Sequence, residues 1–410
     1  MKSEENVTFR INIFTGDILV LSSITNNTYF CQMQVYNKVV LALGSNLGNR
    51  KEYLQMAVDA IHKRIGFVAQ TSAVYETPSW GFDSFPFYNI CIFIHTPHDA
   101  QHLLTKLKEL EKQLGRTVKT TDTYAARTVD IDILYFNDSV IESEALTVPH
   151  PQMQYRSFVL VPLNDLTFEW KHPVLHQSTE ELLETCTDDS KIVKADTLSL
   201  PKNEYALKQL NFLAIEGNIG SGKTSLAQKI AQDFNALPIL ERFADNPFLP
   251  KFYEDQDRYA FPLEMSFLAD RYSQLNQSLG QYDLFNDFVV ADYYIYKSLI
   301  FAQVTLDTDE AALYRTIFDV MYRESAKPDL YVYLYQNTEN LLRNIRKRGR
   351  DYESNILPDY LNKIDRSYSE FIKSLPQENV LIIDVTAKDF VTNHEDYIQI
   401  LENIQSKLNS

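Results

Sequence analysis

The segment Gly217-Asn-Ile-Gly-Ser-Gly-Lys-Thr224 constrains this chain more than any other. It fits the pattern GxxxxGK[ST] in full and follows the apolar run Phe212-Leu-Ala-Ile215, which reads as a buried strand. A helix from Lys223 to about Asp233 reads directly after it. Glycines in that position let backbone N–H groups curl around phosphates, and the helix N-terminus adds its partial positive charge. Gly217, Asn218, Gly220, Ser221 and Gly222 therefore form a candidate ATP cradle, with Lys223 neutralising the β and γ oxygens and Thr224 holding Mg²⁺. Such a loop requires a parallel sheet flanked by helices. Further runs at Leu237–Leu240, Phe288–Asp292, Asp329–Leu334 and Val380–Asp384, with helical stretches between them, supply its strands.

That sheet accounts for half of the 410 residues. A second strand–helix series precedes it. Lys38–Leu43, Phe67–Tyr75, Tyr88–His95 and Ile131–Phe136 read as strands, and 50–64 and 99–114 as helices with one apolar face. From 171 to 208 the chain is polar and irregular, apart from a short helix at Thr179–Cys186. Three parts are expected: an extension at 1–37, a first domain at 38–200 and a second at 201–410. The extension reads either as irregular chain or as a segment upstream of a start at Met33.

Composition excludes several classes of function. With 45% hydrophobic and 23% charged residues the chain is globular, and its net charge of −16 argues against nucleic-acid binding. No apolar run approaches the roughly 18 residues of a membrane helix. The three scattered cysteines suggest no zinc site or disulfide framework, which suits a cytoplasmic protein.

The loop alone leaves motors, switches and kinases open. Glu241, just past the second strand, is placed to take a proton from a hydroxyl, and Lys347-Arg-Gly-Arg350 forms an arginine cluster able to close over a transferring phosphate. With Asp245-Asn-Pro-Phe-Leu-Pro-Lys-Phe-Tyr253, Arg258-Tyr-Ala-Phe261, Phe267-Leu-Ala-Asp-Arg271 and Arg348-Gly-Arg-Asp-Tyr-Glu353, these residues make 211–405 resemble the deoxynucleoside kinases, in their bacterial deoxyadenosine/deoxyguanosine kinase branch. The resemblance implies that Glu241 is the base for the 5′-hydroxyl and that Tyr253 and Glu353 hold the 3′-hydroxyl. Arg271 would sit near the base and the 5′ end, and Arg348 and Arg350 would form the lid. It also implies a homodimer through this domain. Glu264 stands where the family commonly has a base-reading Gln, and a carboxylate there favours a purine, adenine first. Asp292 keeps an acid for one Mg²⁺, but the arginine expected after it is Tyr293, which leaves Lys297 or Arg271 to neutralise phosphate.

In the first half, Arg127-Thr-Val-Asp-Ile-Asp132 puts Asp130 and Asp132 on one face of a strand, a pairing that suits Mg²⁺ bound together with substrate phosphates. An exposed edge strand with alternating charge is the other reading of that spacing. In combination with Leu43-Gly-Ser-Asn-Leu-Gly48, Tyr75-Glu-Thr-Pro78, Phe87-Tyr-Asn89, Glu111, Leu114-Gly-Arg116, Val148-Pro-His150 and Arg156, residues 38–170 resemble hydroxymethyldihydropterin pyrophosphokinase, a ferredoxin-like α/β sandwich of the folate pathway. The resemblance implies two Mg²⁺ ions on Asp130 and Asp132. Arg116, Arg127, His150 and Arg156 would contact ATP phosphates, and Glu111 would help bind the nucleotide. Thr77, Pro78, Phe87 and Asn89 would form the pterin pocket. Departures are Lys108 for Gln, Val118 for a second Arg and Tyr124 for Trp. The expected whole is a bifunctional transferase acting on small molecules; the alternative is one live domain beside a degenerate one.

Overall fold

The computed structural model describes residues 36–79, 84–115, 126–167, 170–243, 246–279, 286–323, 326–350, 353 and 356–410. Its first half runs β1 (Asn37–Ser45), α1 (Arg50–Arg64), β2 (Phe67–Thr71), β3 (Val74–Thr77), β4 (Phe87–Thr96), α2 (Ala100–Gln113), β5 (Asp130–Phe136), β6 (Ile141–Glu142), β7 (Thr147–Val148), α3 (Ser157–Asn164), α4 (Thr179–Thr185) and β8 (Val193–Asp196). The second half runs β9 (Phe212–Gly217), α5 (Lys223–Phe234), β10 (Leu237–Ile239), α6 (Leu249–Glu254), α7 (Gln256–Leu279), β11 (Val289–Ala291), α8 (Tyr296–Thr305), α9 (Thr308–Tyr322), β12 (Leu330–Tyr335), α10 (Thr338–Arg348), α11 (Pro358–Ser374), β13 (Val380–Asp384) and α12 (His394–Leu408).

The first sheet has the order β5-β1-β4-β3-β8, with β2 also on β4, and every pairing is antiparallel. Leu41, Ile92 and Ile131 face a core shared with Leu54, Val58 and Ile61 of α1 and Leu103, Leu107 and Leu110 of α2, which makes the ferredoxin-like sandwich. The second sheet is parallel in the order β10-β11-β9-β12-β13 and leads from its middle strand into the phosphate loop, as a P-loop NTPase fold does. Helices cover both faces: α5 and α12 on one, α7, α8, α9 and α11 on the other.

Three expectations need correction. The run Phe67–Tyr75 is two strands, because Ser72 and Ala73 break away and the Ser72 N–H and Oγ bond to Cys91 of β4. The polar stretch after 171 contains β8, which extends the first sheet along β3. The extension does not reach 37: Asn37 opens β1 and Tyr36 is buried, while residues 1–35 lie outside the described set.

The two sheets are not independent bodies. An antiparallel sheet covered on one face leaves the other for solvent, but here the second face carries Val40, Phe67, Phe93 and Leu134 into one apolar cluster with α3 and with Leu226, Phe234 and Leu401 of the second half. Phe67 meets Phe234 edge-on at 5.1 Å. Helix α5 therefore lies between its own parallel sheet and the sheet of the first half. Both tryptophans, Trp80 and Trp170, belong to the first half, and Trp170 packs against the shared cluster, so their fluorescence reports on the first half and on that seam. Phe234→Ala should remove about 3–5 kcal/mol and lower the midpoint of urea unfolding seen by tryptophan fluorescence as much as that seen by far-UV circular dichroism. An unchanged tryptophan midpoint would contradict the shared core.

Candidate functional sites

The glycine loop leaves β9 and enters α5 at Gly222, whose φ of +91° and 2.6 Å hypothetical Cβ approach to Phe390 Cζ exclude a side chain. Gly222 offers no side-chain cap to α5, so the first helical amides face the loop. Lys223 Nζ donates to the Asn218 carbonyl at 2.8 Å, and Asn218 Nδ2 donates to Leu361 O at 2.8 Å. Burial and the nearby Lys297 push the Lys223 ammonium down to about 8 against the pull of Glu216, Glu241 and Asp292.

At the mouth of the loop Thr224 Oγ1 donates to Asp292 Oδ2, whose other oxygen accepts the Glu241 N–H at 2.8 Å. Arg271 approaches Glu241 Oε1 with Nε at 2.9 Å and Nη2 at 2.6 Å, and Lys297 Nζ reaches Oε2 at 2.6 Å. Burial alone would raise the Glu241 carboxyl, but these two cations more than offset it and hold the group well below the usual carboxylate range. Asp292 goes the other way, raised by burial and by Glu241. The residue pair left open by the missing arginine is thus resolved in position: Arg271 and Lys297 both sit on Glu241.

Glu264, on α7, is 2% exposed; Thr305 Oγ1 donates to its Oε1 at 3.1 Å, and its Oε2 has no hydrogen-bond partner among the described residues. Burial pushes its carboxyl up to about 7, with Arg271 opposing. On the far side α10 ends at Gly349 (φ +69°), which swings Arg350 off the helix axis. Glu353 ties the two arginines together: Arg348 Nε donates at 3.1 Å and Arg350 Nη1 at 3.2 Å, and Arg350 lies 3.7 Å over the Phe243 ring. Tyr253, at the end of α6, packs against Leu341, Ile345 and Leu361.

In the first half Asp130 and Asp132 open β5 opposite Gly44 and Ala42, and both face one pocket with Thr77, Pro78, Phe87, Asn89, Arg127 and Arg156. Asn89 Nδ2 donates to Thr77 Oγ1 at 2.8 Å. Arg127 Nη1 pairs with Asp130, and Arg156 lies 5.7 Å over Phe158. Two carboxylates open to a pocket with flanking arginines fit a divalent cation shared with substrate phosphates. His150 lies near Arg156 and Asp130, and burial, then Arg156, lowers it to about 4, so at neutral pH its imidazole is uncharged. Glu111 is buried on α2 and accepts the Ile131 N–H at 2.8 Å, which pins the strand carrying the acid pair. Arg116, Val118 and Tyr124 lie outside the described residues.

Two residues escaped the sequence reading. Glu216, fully buried in β9, accepts from the Tyr294 N–H at 2.7 Å and the Tyr368 hydroxyl at 2.8 Å and so joins β9 to α11 and to the connection between β11 and α8. Asn46, quoted only as part of a turn, accepts the Arg127 N–H at 2.7 Å while its own N–H bonds Arg127 O at 3.1 Å. Nothing in the local pattern distinguishes it from an ordinary turn residue, because its partner lies 81 residues away.

A family model described as deoxynucleoside kinase matches residues 213–409, and one described as 7,8-dihydro-6-hydroxymethylpterin-pyrophosphokinase matches residues 40–168. A deoxyguanosine kinase of Bacillus subtilis is 38% identical over 198 residues, covering 47% of this chain and 96% of the relative. A deoxyadenosine kinase of Lactobacillus acidophilus is 28% identical over 213 residues, covering 48% and 97%. A 2-amino-4-hydroxy-6-hydroxymethyldihydropteridine pyrophosphokinase of Porphyromonas gingivalis is 40% identical over 138 residues, covering 33% and 93%.

Asn46→Ala should cost about 1–3 kcal/mol in chemical denaturation by leaving the Arg127 amide without its acceptor, and Asn46→Asp, which keeps that acceptor but loses the Nδ2 donor to Ser84 Oγ and Phe85 O and buries a carboxylate, should cost at least as much at neutral pH.

Proposed function

We infer the chemistry from a chain that belongs to two families, residues 40–168 to the 7,8-dihydro-6-hydroxymethylpterin pyrophosphokinases and residues 213–409 to the deoxynucleoside kinases. The protein is a bifunctional transferase. Its first domain moves a pyrophosphoryl group from ATP to the hydroxymethyl oxygen of the dihydropterin, and its second phosphorylates a deoxynucleoside with ATP. What supports this reading is that each half gathers its own set of polar groups suited to phosphate: Asp130 and Asp132 with Arg127 and Arg156 around one pocket, and the loop with Thr224, Asp292 and Glu241 at the other.

In the first domain the pterin oxygen forms its bond to the β-phosphorus as the bond to the α–β bridging oxygen breaks and AMP leaves. Asp130 and Asp132 would hold two Mg²⁺ ions, which supply charge neutralisation on the triphosphate. Arg127, Arg156 and Arg116 add fixed cations, while uncharged His150 contributes a single N–H. Thr77, Pro78, Phe87 and Asn89 would receive the pterin, and Glu111 would act on the nucleotide through β5. In the second domain the 5′-oxygen bonds to the γ-phosphorus, ADP leaves, and Glu241 accepts the proton. Thr224 and Asp292 would hold one Mg²⁺, Lys223 the β and γ oxygens, Arg348 and Arg350 the transferring group, and Tyr253 and Glu353 the 3′-hydroxyl. A boundary near residue 200 separates the domains. Exposed Leu313 and Val320, seven residues apart on α9, would give the second domain an apolar seam for a homodimer. No described helix is long and apolar enough to cross a membrane, and a cytoplasmic location suits free Cys91 and Cys186.

Glu264 would read a purine base. Ionised, its carboxylate only accepts, which matches the two N–H groups of guanine; protonated, it donates and accepts, which matches adenine. With the group raised to about 7 by burial, the protonated form prevails below that pH and the ionised form above it. The ratio of deoxyguanosine to deoxyadenosine turnover should therefore rise several-fold from pH 6 to pH 8, and Glu264→Gln should flatten it; equal activity on thymidine would sink the purine assignment. The two activities should also separate by mutation. Asp132→Asn should lower pterin pyrophosphorylation at least about 100-fold and Glu241→Gln the kinase by about 100-fold, each measured in full-length protein with the other activity unchanged. Loss of both from either substitution would contradict two independent sites.

A further inference from the structure

Helix α5 starts at the phosphate loop, and its far end is buried by the other domain. Lys229 and Asp233, one turn apart, are 2% and 3% exposed. Asp233 Oδ1 lies 2.7 Å from His95 Nδ1, near the end of β4 in the first sheet. Lys229 Nζ stands 4.0 Å from the ring centroid of Tyr397 on α12 and 4.2 Å from that of Tyr36, which leads into β1. Tyr36 is fixed in turn, its hydroxyl 3.3 Å from Val391 O. Beside them His394 Nε2 meets His62 O of α1 at 2.7 Å, a second polar tie between the halves.

Charges are buried only where partners compensate them. Asp233 and Lys229 find those partners in His95 and Tyr36, on the first domain, and in Tyr397. The anchored end and the loop are ten residues apart, about 15 Å of helix, so a tilt of about 2° at the anchor moves the loop by about 0.5 Å. That is the tolerance within which a phosphate cradle must be held.

We propose that the pterin domain is a positioning element of the kinase: His95, acting through Asp233, and Tyr36, acting through Lys229, fix the phosphate-binding helix, so that ATP binding at the second site depends on residues of the first domain. This rests on reading the loop at 217–224 as the kinase ATP site. His95 and Tyr36 touch neither substrate and are positioning residues.

The test is a double-mutant cycle in the full-length chain with His95→Asn, Asp233→Asn and the pair together. Deoxynucleoside kinase kinetics are read alongside calorimetric binding of a non-hydrolysable ATP analogue. His95→Asn should raise the kinase KM for ATP about five-fold or more with kcat within about two-fold, and should leave pterin pyrophosphokinase KM values unchanged. The double variant should be no worse than the poorer single one, since both act through one contact. An unchanged kinase KM in a His95→Asn protein that keeps its pterin activity overturns the proposal, as do losses that multiply in the double variant. Should His95→Asn abolish the cooperative melt, Lys229→Met replaces it, keeping the stem between the two rings. The same rise in KM is expected, and an unchanged KM overturns the proposal. A wild-type chain that phosphorylates no deoxynucleoside refutes the kinase reading instead.

Discussion

The burial of α5 between two sheets is the constraint on which the rest of the molecule depends. One side of the helix, through Leu226, Ala227 and Ile230, seats the parallel sheet; its end, through Phe234, closes the open face of the antiparallel one. Contacts between domains of one chain are usually modest, polar and mobile. Here aliphatic and aromatic side chains pass from β2 and β4 to α5 and α12 in one apolar cluster. Cutting the chain near residue 200 would expose Phe67, Phe93 and Phe234 to water together. Activities of separated halves would then report on that exposure as much as on either site, so the two functions are best resolved by point substitutions in the intact chain.

Within this common scaffold the two sites meet the same electrostatic problem by different means. A triphosphate must be held beside protein carboxylates in a chain of net charge −16. The second domain uses backbone amides at a helix N-terminus, which are rigid and carry no counter-charge cost. The first offers Asp130 and Asp132 with flanking arginines, an arrangement that would acquire its positive charge from metal ions. The arginine missing after Asp292 fits this picture. Tyr293 and Tyr294 in its place are wholly buried, Tyr293 bonding Gln274 and Tyr294 closing on Glu216, while Lys297 one turn on delivers the cation to Glu241.

Local signals were legible in the sequence and remote ones were not. The loop and helices such as α1 and α5 follow from spacing and period alone, because each is specified locally; the β5 acid pair needed the surrounding motifs as well, since its spacing also fits an edge strand. β8 was hidden because it is only four residues long and wholly exposed, so its short Val-Lys-Ala-Asp alternation does not stand out from the polar stretch around it. Lys229 and Asp233 carry the same signature as any solvated helix face; only the arrival of His95, 138 residues from Asp233, and of Tyr36 and Tyr397 makes them interior. The same holds for Asn46 and Arg127, separated by 81 residues. Sequence pattern records which face of an element is apolar, but a polar residue buried by a distant partner leaves no periodic trace.

The clamp on Glu241 bears on the role proposed for it as the base of the kinase site. Held below the ordinary carboxylate range by Lys297 and Arg271, this group has little affinity for a proton in the resting site. A strong base would be needed if the hydroxyl had to ionise before attack. Phosphoryl transfer through a loose transition state asks for less, because the nucleophile carries little bond to phosphorus at the summit and loses its proton late. An unpaired carboxylate beside the γ-phosphate would also repel the nucleotide that it serves. With both oxygens occupied by fixed cations, Glu241 can orient a hydroxyl as an acceptor without adding net negative charge to the site. The proton then moves once the oxygen has become an ester and its acidity has risen. Orientation and charge balance, more than basicity, are what the Arg271–Glu241–Lys297 arrangement provides.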